Sequence, residues 1–365
     1  MKSILLTILK SAISAKPLDS AELSSLTEKE WKKLFNLSVQ QGVRAVALEA
    51  ISQSPLLTVM PKPIKMKWLA SFMGVEDAYH SRLQKAAEFA ELMASKGLHT
   101  LTLKGAAVST YYPEPSHREF GDLDAYLFYG TPQQVKWGSG YEQGNVWAEE
   151  FGAKVSRGHY KHSHVTFKGL MIENHQYFLP IRGNKSIKEL EKYLRTIAFN
   201  TADIKYVGNT KLLIPSPDFN ALFLTAHAMN HFLYETVRLR HVCDWALFLK
   251  AEQDNVDWKK FYQWCDKMHY THFVNCLNYI CHHYLGIELC TGLSEDGQYV
   301  DRVLDDIWAG DNVYNKGYSN LRIRLEVVRN FFQSSWKYSK ICKKNAFVSL
   351  LSHGIGVLFD RNPVV

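Results

Sequence analysis

Gly121-Asp122-Leu123-Asp124-Ala125-Tyr126-Leu127-Phe128 is the stretch on which the fold turns. Its apolar and β-forming residues predict a strand. On a strand, residues i and i+2 share a face with Cα atoms roughly 6–7 Å apart, so Asp122 and Asp124 project to one side. Two like charges on one face of a mostly apolar strand are costly unless something compensates them. A divalent cation is the usual compensation, and carboxylates at this spacing suit a pair of ions about 4 Å apart, the geometry used to transfer phosphoryl or nucleotidyl groups. The other reading of the pair is a solvated edge strand with alternating charge.

The flanking sequence sharpens the choice. Upstream, Leu101-Thr102-Leu103-Lys104-Gly105-Ala106-Ala107 reads as a short strand, a glycine turn and a helix start. Tyr112-Pro113-Glu114-Pro115 stops that helix, and Arg118 precedes the Asp122 strand. Downstream, Gly169-Leu170-Met171-Ile172-Glu173-Asn174-His175 is a further strand with one carboxylate. This order resembles the DNA polymerase β-like nucleotidyltransferase superfamily, in which a glycine turn precedes an Asp-x-Asp strand and a third acidic strand residue follows. More narrowly, it is similar to a bacterial family of nucleotidyltransferase-like proteins. That similarity extends to the Glu173-x-His175 strand, to His227 and His231, and to Arg238-x-Arg240-His241-x-x-Asp244-Trp245, covering residues 85–290. Three positions depart from the superfamily pattern. Gly105 is followed by Ala106 where Gly or Ser is usual, the spacing to Asp122 is longer, and Glu173 replaces the commoner Asp.

The resemblance implies roles. Asp122 and Asp124 would hold two Mg²⁺ ions, the ion expected for hard oxygen ligands. Glu173 would complete one ligand set and help to deprotonate the attacking hydroxyl. Gly105 and Ala106 would bring backbone amides to a phosphate, with Lys104 adding charge. Arg118 has two readings, a bidentate phosphate contact or an ion pair with Asp122 or Asp124. His227, His231, Tyr234 and Arg238 fall on one helix face by spacing; the resemblance implies that this face lines the nucleotide cleft. Arg240 and Asp244 read as an ion pair. His159, His162, His164 and His175 gather near the acidic strands, with His164 and His175 facing one pocket across a hairpin. A lone strand histidine is more often structural, so they are not ranked among the ligands.

Composition fits a nucleotide-binding protein. The 365 residues are 46% hydrophobic, and 43 basic against 36 acidic residues give a net charge of +7. That suits a nucleoside triphosphate as partner. No dense basic run with interleaved aromatics marks a nucleic-acid surface, so the acceptor is expected to be a small molecule or a protein ahead of long nucleic acid. The six cysteines all lie beyond residue 242 with no Cys-x-x-Cys pair. They read as reduced buried thiols, and the knuckles of structural zinc are missing. The longest apolar stretch, 346–359, is too short and too polar to span a membrane. The start, Met1 to Leu6, imitates a signal peptide only until Lys10, after which it continues as an amphipathic helix. A cytoplasmic location is expected.

The chain divides into a helical region over 1–99, a nucleotidyltransferase-like domain over 100–214 and a helical domain over 215–365. Thr27 with Glu30 offers a capping box, and a long helix is predicted over 65–96. Hairpins are predicted at 164–178, turning at Lys168-Gly169, and at 204–214, turning at Gly208-Asn209. Thr131 to Ala153 reads as a helix followed by a loop. Ser216 caps a helix that opens with Pro217, and helices continue with breaks near Gly286, Gly292 and Gly310. The fold class is therefore α+β, a nucleotidyltransferase-type mixed sheet with flanking helices between two helical regions. The expected activity is metal-dependent transfer of a nucleoside monophosphate to an acceptor hydroxyl. The alternative is a catalytically inactive, antitoxin-like binding protein on the same fold.

Overall fold

The Asp122 strand lies at the middle of a mixed sheet that has seven strands among the described residues. The computed structural model describes residues 1–19, 23–130, 140–181, 185–198, 204–234, 236–310 and 334–343. The chain opens with α1 (Lys2–Ser14), α2 (Glu28–Gln40), α3 (Arg44–Ser52), α4 (Leu56–Val59) and the long α5 (Lys62–Ser95). The Thr27–Glu30 capping box forms as expected. The sheet region then runs β1 (Leu98–Thr102), α6 (Ala106–Ser109), β2 (Asp122–Tyr129), α7 (Tyr141–Glu150), β3 (Lys154–Ser156), β4 (His162–Phe167) and β5 (Leu170–His175). It continues with α8 (Lys185–Ile197), β6 (Lys205–Tyr206) and β7 (Leu212–Ile214). Helices α9 (Pro217–Tyr234), α10 (Leu239–Glu252), α11 (Trp258–Met268), α12 (Thr271–Tyr279) and α13 (Val300–Ala309) follow. Among the described residues, no helix is long and apolar enough to cross a membrane. The 346–359 stretch and residues 131–139 lie outside the described residues.

Strand order is β3-β4-β5-β2-β1-β7-β6. β2 pairs antiparallel with β1 and parallel with β5. The β4–β5 hairpin turns at Lys168 and Gly169, both with positive φ, the combination a tight two-residue turn needs. β5 ends at His175, short of the predicted Phe178.

Alternation along β2 sorts its side chains between two cores. Leu123, Ala125 and Leu127 join Phe89, Met93 and Ala148 of α5 and α7 on one side. Tyr126 and Phe128 join the larger core shared by the N-terminal and C-terminal helices on the other. Asp122 and Asp124 belong to this second face. Helix α9 packs over part of it, with Phe219 meeting Phe178 edge-to-face and Phe178 packing against Tyr126. The α9 start is set as predicted, with the Phe219 amide donating to Ser216 Oγ at 3.2 Å. One end of the face is thus sealed by aromatics, each worth about 1.5–3 kcal/mol when buried. The other end carries the carboxylates.

The region predicted as a helix followed by a loop resolves in its described part into α7 and the short β3. Asn174 on β5 ties α7 down, donating to Tyr141 O at 3.0 Å and to Asn145 Oδ1 at 2.9 Å. Of the cysteines, Cys243, Cys265, Cys276, Cys281 and Cys342 are buried and Cys290 is half-buried; all six are free thiols.

Candidate active site

The β2–β5 register places Asp122 beside Met171 and Asp124 beside Glu173. Three carboxylates therefore share one patch of sheet, contributed by two parallel strands. Asp124 is buried, and Asp122 and Glu173 are half-buried. Burial and the neighbouring Asp124 charge push the Asp122 carboxyl above its usual range, although Lys104 opposes the shift. Burial also resists ionisation of Asp124. Lys104 and His175 overcome it and hold that carboxyl well below the usual range. Such crowding of anions is what a bound cation relieves.

Lys104 lies two residues past the end of β1 and reaches across to β2, its Nζ 2.9 Å from Asp124 Oδ1. Although burial disfavours its charge, Asp124 and Asp122 hold its pKa above the usual value. Gly105 follows at φ +52°, ψ −107°, a backbone state open to glycine alone among common residues. Ala106 begins α6 with its side chain fully buried. Helix α6 is a single turn of four residues, too short to build up a macrodipole of any size.

Arg118 is not paired with Asp122 or Asp124. Its Nη2 and Nε reach Asp244 Oδ2 and Oδ1 at 2.7 and 3.2 Å, and Tyr112 Oη donates to the same carboxylate at 2.7 Å. This also corrects the expected Arg240–Asp244 pair: Arg240 instead donates to Glu119 O at 3.3 Å. The guanidinium fork of Arg118 matches a carboxylate bidentately, and its buried setting strengthens the pair.

The helical face is also rearranged. α9 ends at Tyr234, so Arg238 is not on it but caps α10. His241 on α10, not Arg238, meets the two α9 histidines. His227 Nε2 lies 3.1 Å from His231 Nε2, and the His231 and His241 rings stack at 4.7 Å. The Arg238 amide donates to His241 Nδ1 at 3.1 Å. Burial and the charge of Lys104 keep His227 neutral, well below its usual pKa.

One residue that the sequence pattern did not rank sits at the same centre, and a second feels its charges. His175 Nε2 is 3.1 Å from Asp124 Oδ1 and 3.3 Å from Glu173 Oε2. Lys161, next to β4, has its ammonium pKa lowered by burial and by Lys104, against the pull of Asp124 and Glu173. Strand alternation carried the signal for His175, since Glu173 and His175 are two residues apart. Nothing in the local pattern marked Lys161. His162 lies opposite His175 and His164 opposite Glu173; burial pushes the His162 imidazole down to about 3.

A family model described as uncharacterised nucleotidyltransferase matches residues 27–286. The chain belongs to this family. The matched span of the uncharacterised nucleotidyltransferase family contains the whole sheet, the three carboxylates and the histidines of α9 and α10. No curated protein and no solved structure matches the chain.

Proposed function

We propose that the protein transfers a nucleoside monophosphate from a nucleoside triphosphate to an acceptor hydroxyl, with Asp122, Asp124 and Glu173 at the reaction centre. The observation that carries this reading is the pairing of Asp124 with Glu173 across parallel strands, with Asp122 two residues away on the same face. Membership of a nucleotidyltransferase family supports it.

The donor set of three carboxylates fits Mg²⁺, and Asp122, Asp124 and Glu173 would hold it. When bound, the ion supplies charge neutralisation at the phosphates and activation of the acceptor oxygen. Lys104 and Lys161 would bring positive charge for the phosphate chain, and the His227 and His231 rings on α9 would offer ring nitrogens to it. Gly105 and the Ala106 amide approach the same chain from β1. The acceptor oxygen bonds to the α-phosphorus, and the bond from that phosphorus to the bridging oxygen breaks. Pyrophosphate leaves, and Glu173 receives the hydroxyl proton.

One observation favours a second reading, a binding protein on this fold without turnover. Lys104 occupies an Asp124 oxygen at 2.9 Å, where a cation would otherwise sit. The two readings part on product. Incubation with α-labelled triphosphates and a panel of hydroxyl acceptors, protein and small-molecule, should give label on an acceptor and an equal yield of pyrophosphate. Label that stays in the triphosphate across the panel, with binding intact, selects the second reading.

A further inference from the structure

We propose that His162, Glu173 and His175 form a binding site for a first-row transition-metal ion of the Zn²⁺ type, with Asp124 as a neighbouring ligand. The β4–β5 register sets His162 opposite His175, and Glu173 is two residues before His175 on the same face. One ligand atom from each of the three lies within 4.8 Å of the others. His175 Nε2 is 3.3 Å from Glu173 Oε2 and 3.1 Å from Asp124 Oδ1, and His162 Nδ1 is 3.5 Å from Glu173 Oε2. A tetrahedral ion with bonds of about 2.0–2.1 Å holds its ligands roughly 3.3 Å apart. The observed separations bracket that value.

The chemistry of the donors separates this site from one built for Mg²⁺. Imidazole suits zinc and its neighbours, whereas Mg²⁺ prefers oxygen. His162 Nδ1 is buried and, among the described residues, has no hydrogen-bond partner; an ion here would satisfy it. The far nitrogen of each ring is held. His175 Nδ1 lies 3.1 Å from Tyr177 O, and His162 Nε2 lies 3.2 Å from His164 Nε2. The His175 contact to a backbone carbonyl is the kind that usually orients a ligating histidine through its second ring nitrogen. The site shares Glu173 and Asp124 with the proposed transferase but requires neither Asp122 nor a nucleotide.

The test is calorimetric titration of the metal-free full chain with Zn²⁺ in the absence of nucleotide, together with X-ray absorption of the zinc-loaded wild type. The wild type should bind one equivalent at this site and show two imidazole ligands. His162→Asn and His175→Gln should each weaken that equivalent by at least about tenfold, while Asp122→Asn keeps it. His162→Asn alters a partly exposed side chain, and the absorption spectrum needs no variant. A wild type that binds no Zn²⁺, binding equal to wild type in both histidine variants, or fewer than two imidazoles would overturn the site. Zinc binding that survives while Mg²⁺-triphosphate binding is absent would count against the transferase reading alone.

Discussion

Lys104 Nζ lies 2.9 Å from Asp124 Oδ1, so the cation just past the end of β1 neutralises the most buried carboxylate of β2. Removing one partner of a buried pair leaves the other charge uncompensated, at about 3 kcal/mol or more. Lys104 retains some solvent access, which places Lys104→Met near the lower end, about 2–3 kcal/mol. Urea unfolding in chelator should show that loss. The same variant should bind Mg²⁺ more tightly than wild type without nucleotide, because no ammonium competes for Asp124. It should bind triphosphate more weakly. Unchanged stability together with unchanged cation affinity would remove Lys104 from the site.

Arg118 and Asp244 tie the segment before β2 to α10, 126 residues later. Both side chains are buried. Asp244→Asn should cost about 3 kcal/mol, and joint replacement of Arg118 and Asp244 by apolar residues should cost less than the two single changes added. A double-mutant cycle in urea measures the coupling. Strict additivity would mean that the pair contributes nothing.

His117 sits between two helices, its Nδ1 2.8 Å from Glu49 Oε2 on α3 and its Nε2 3.3 Å from Glu76 Oε1 on α5. Burial opposes its charge, but the Glu49 and Glu76 contacts outweigh burial and raise its pKa. A raised folded pKa means that the contribution is complete below about pH 6.5 and is lost as pH climbs through the folded value. Stability of the wild type should therefore fall relative to His117→Gln as the pH rises above about 6.5. Melting temperatures at a series of pH values check this. Parallel curves for the two proteins would rule out the contribution.

Gly105 and Gly74 make a matched pair for backbone strain. Gly105 has φ +52°, whereas Gly74 lies in α5 with open space where an added methyl group would sit. Gly105→Ala should cost about 1–3 kcal/mol from conformation alone. Gly74→Ala should stabilise the protein by about 0.5–1 kcal/mol through helix propensity. Denaturant midpoints for both report the comparison, and a neutral Gly105→Ala would show that the turn is free to rearrange.

Periodicity made much of the sheet centre legible. The Asp122 strand, the Glu173 strand and the hairpin at Lys168-Gly169 follow from alternation and turn chemistry, and the observed register supports the same face for all three carboxylates. What alternation does not encode is pairing at long range. Asp244 meets Arg118 only because α10 docks beside the Pro115–His117 turn, and no local pattern reports that docking. The helical spacing from His227 to Arg238 overran the end of α9, so His241 completes the cluster from the next helix instead. Lys161 and His162 are ordinary polar residues at a strand start until the fold brings β4 beside β5.

The most direct measurement is calorimetric binding of the four nucleoside triphosphates with and without Mg²⁺, comparing wild type with the double variant Asp122→Asn, Asp124→Asn. Removal of a crowded carboxylate can raise thermal stability by itself, so binding is the cleaner readout. At least one triphosphate should bind the wild type at or below about millimolar concentration, only with Mg²⁺, and the double variant should not bind it. Failure of all four to bind the wild type at that concentration, or equal binding by the double variant, would contradict the proposed transfer chemistry.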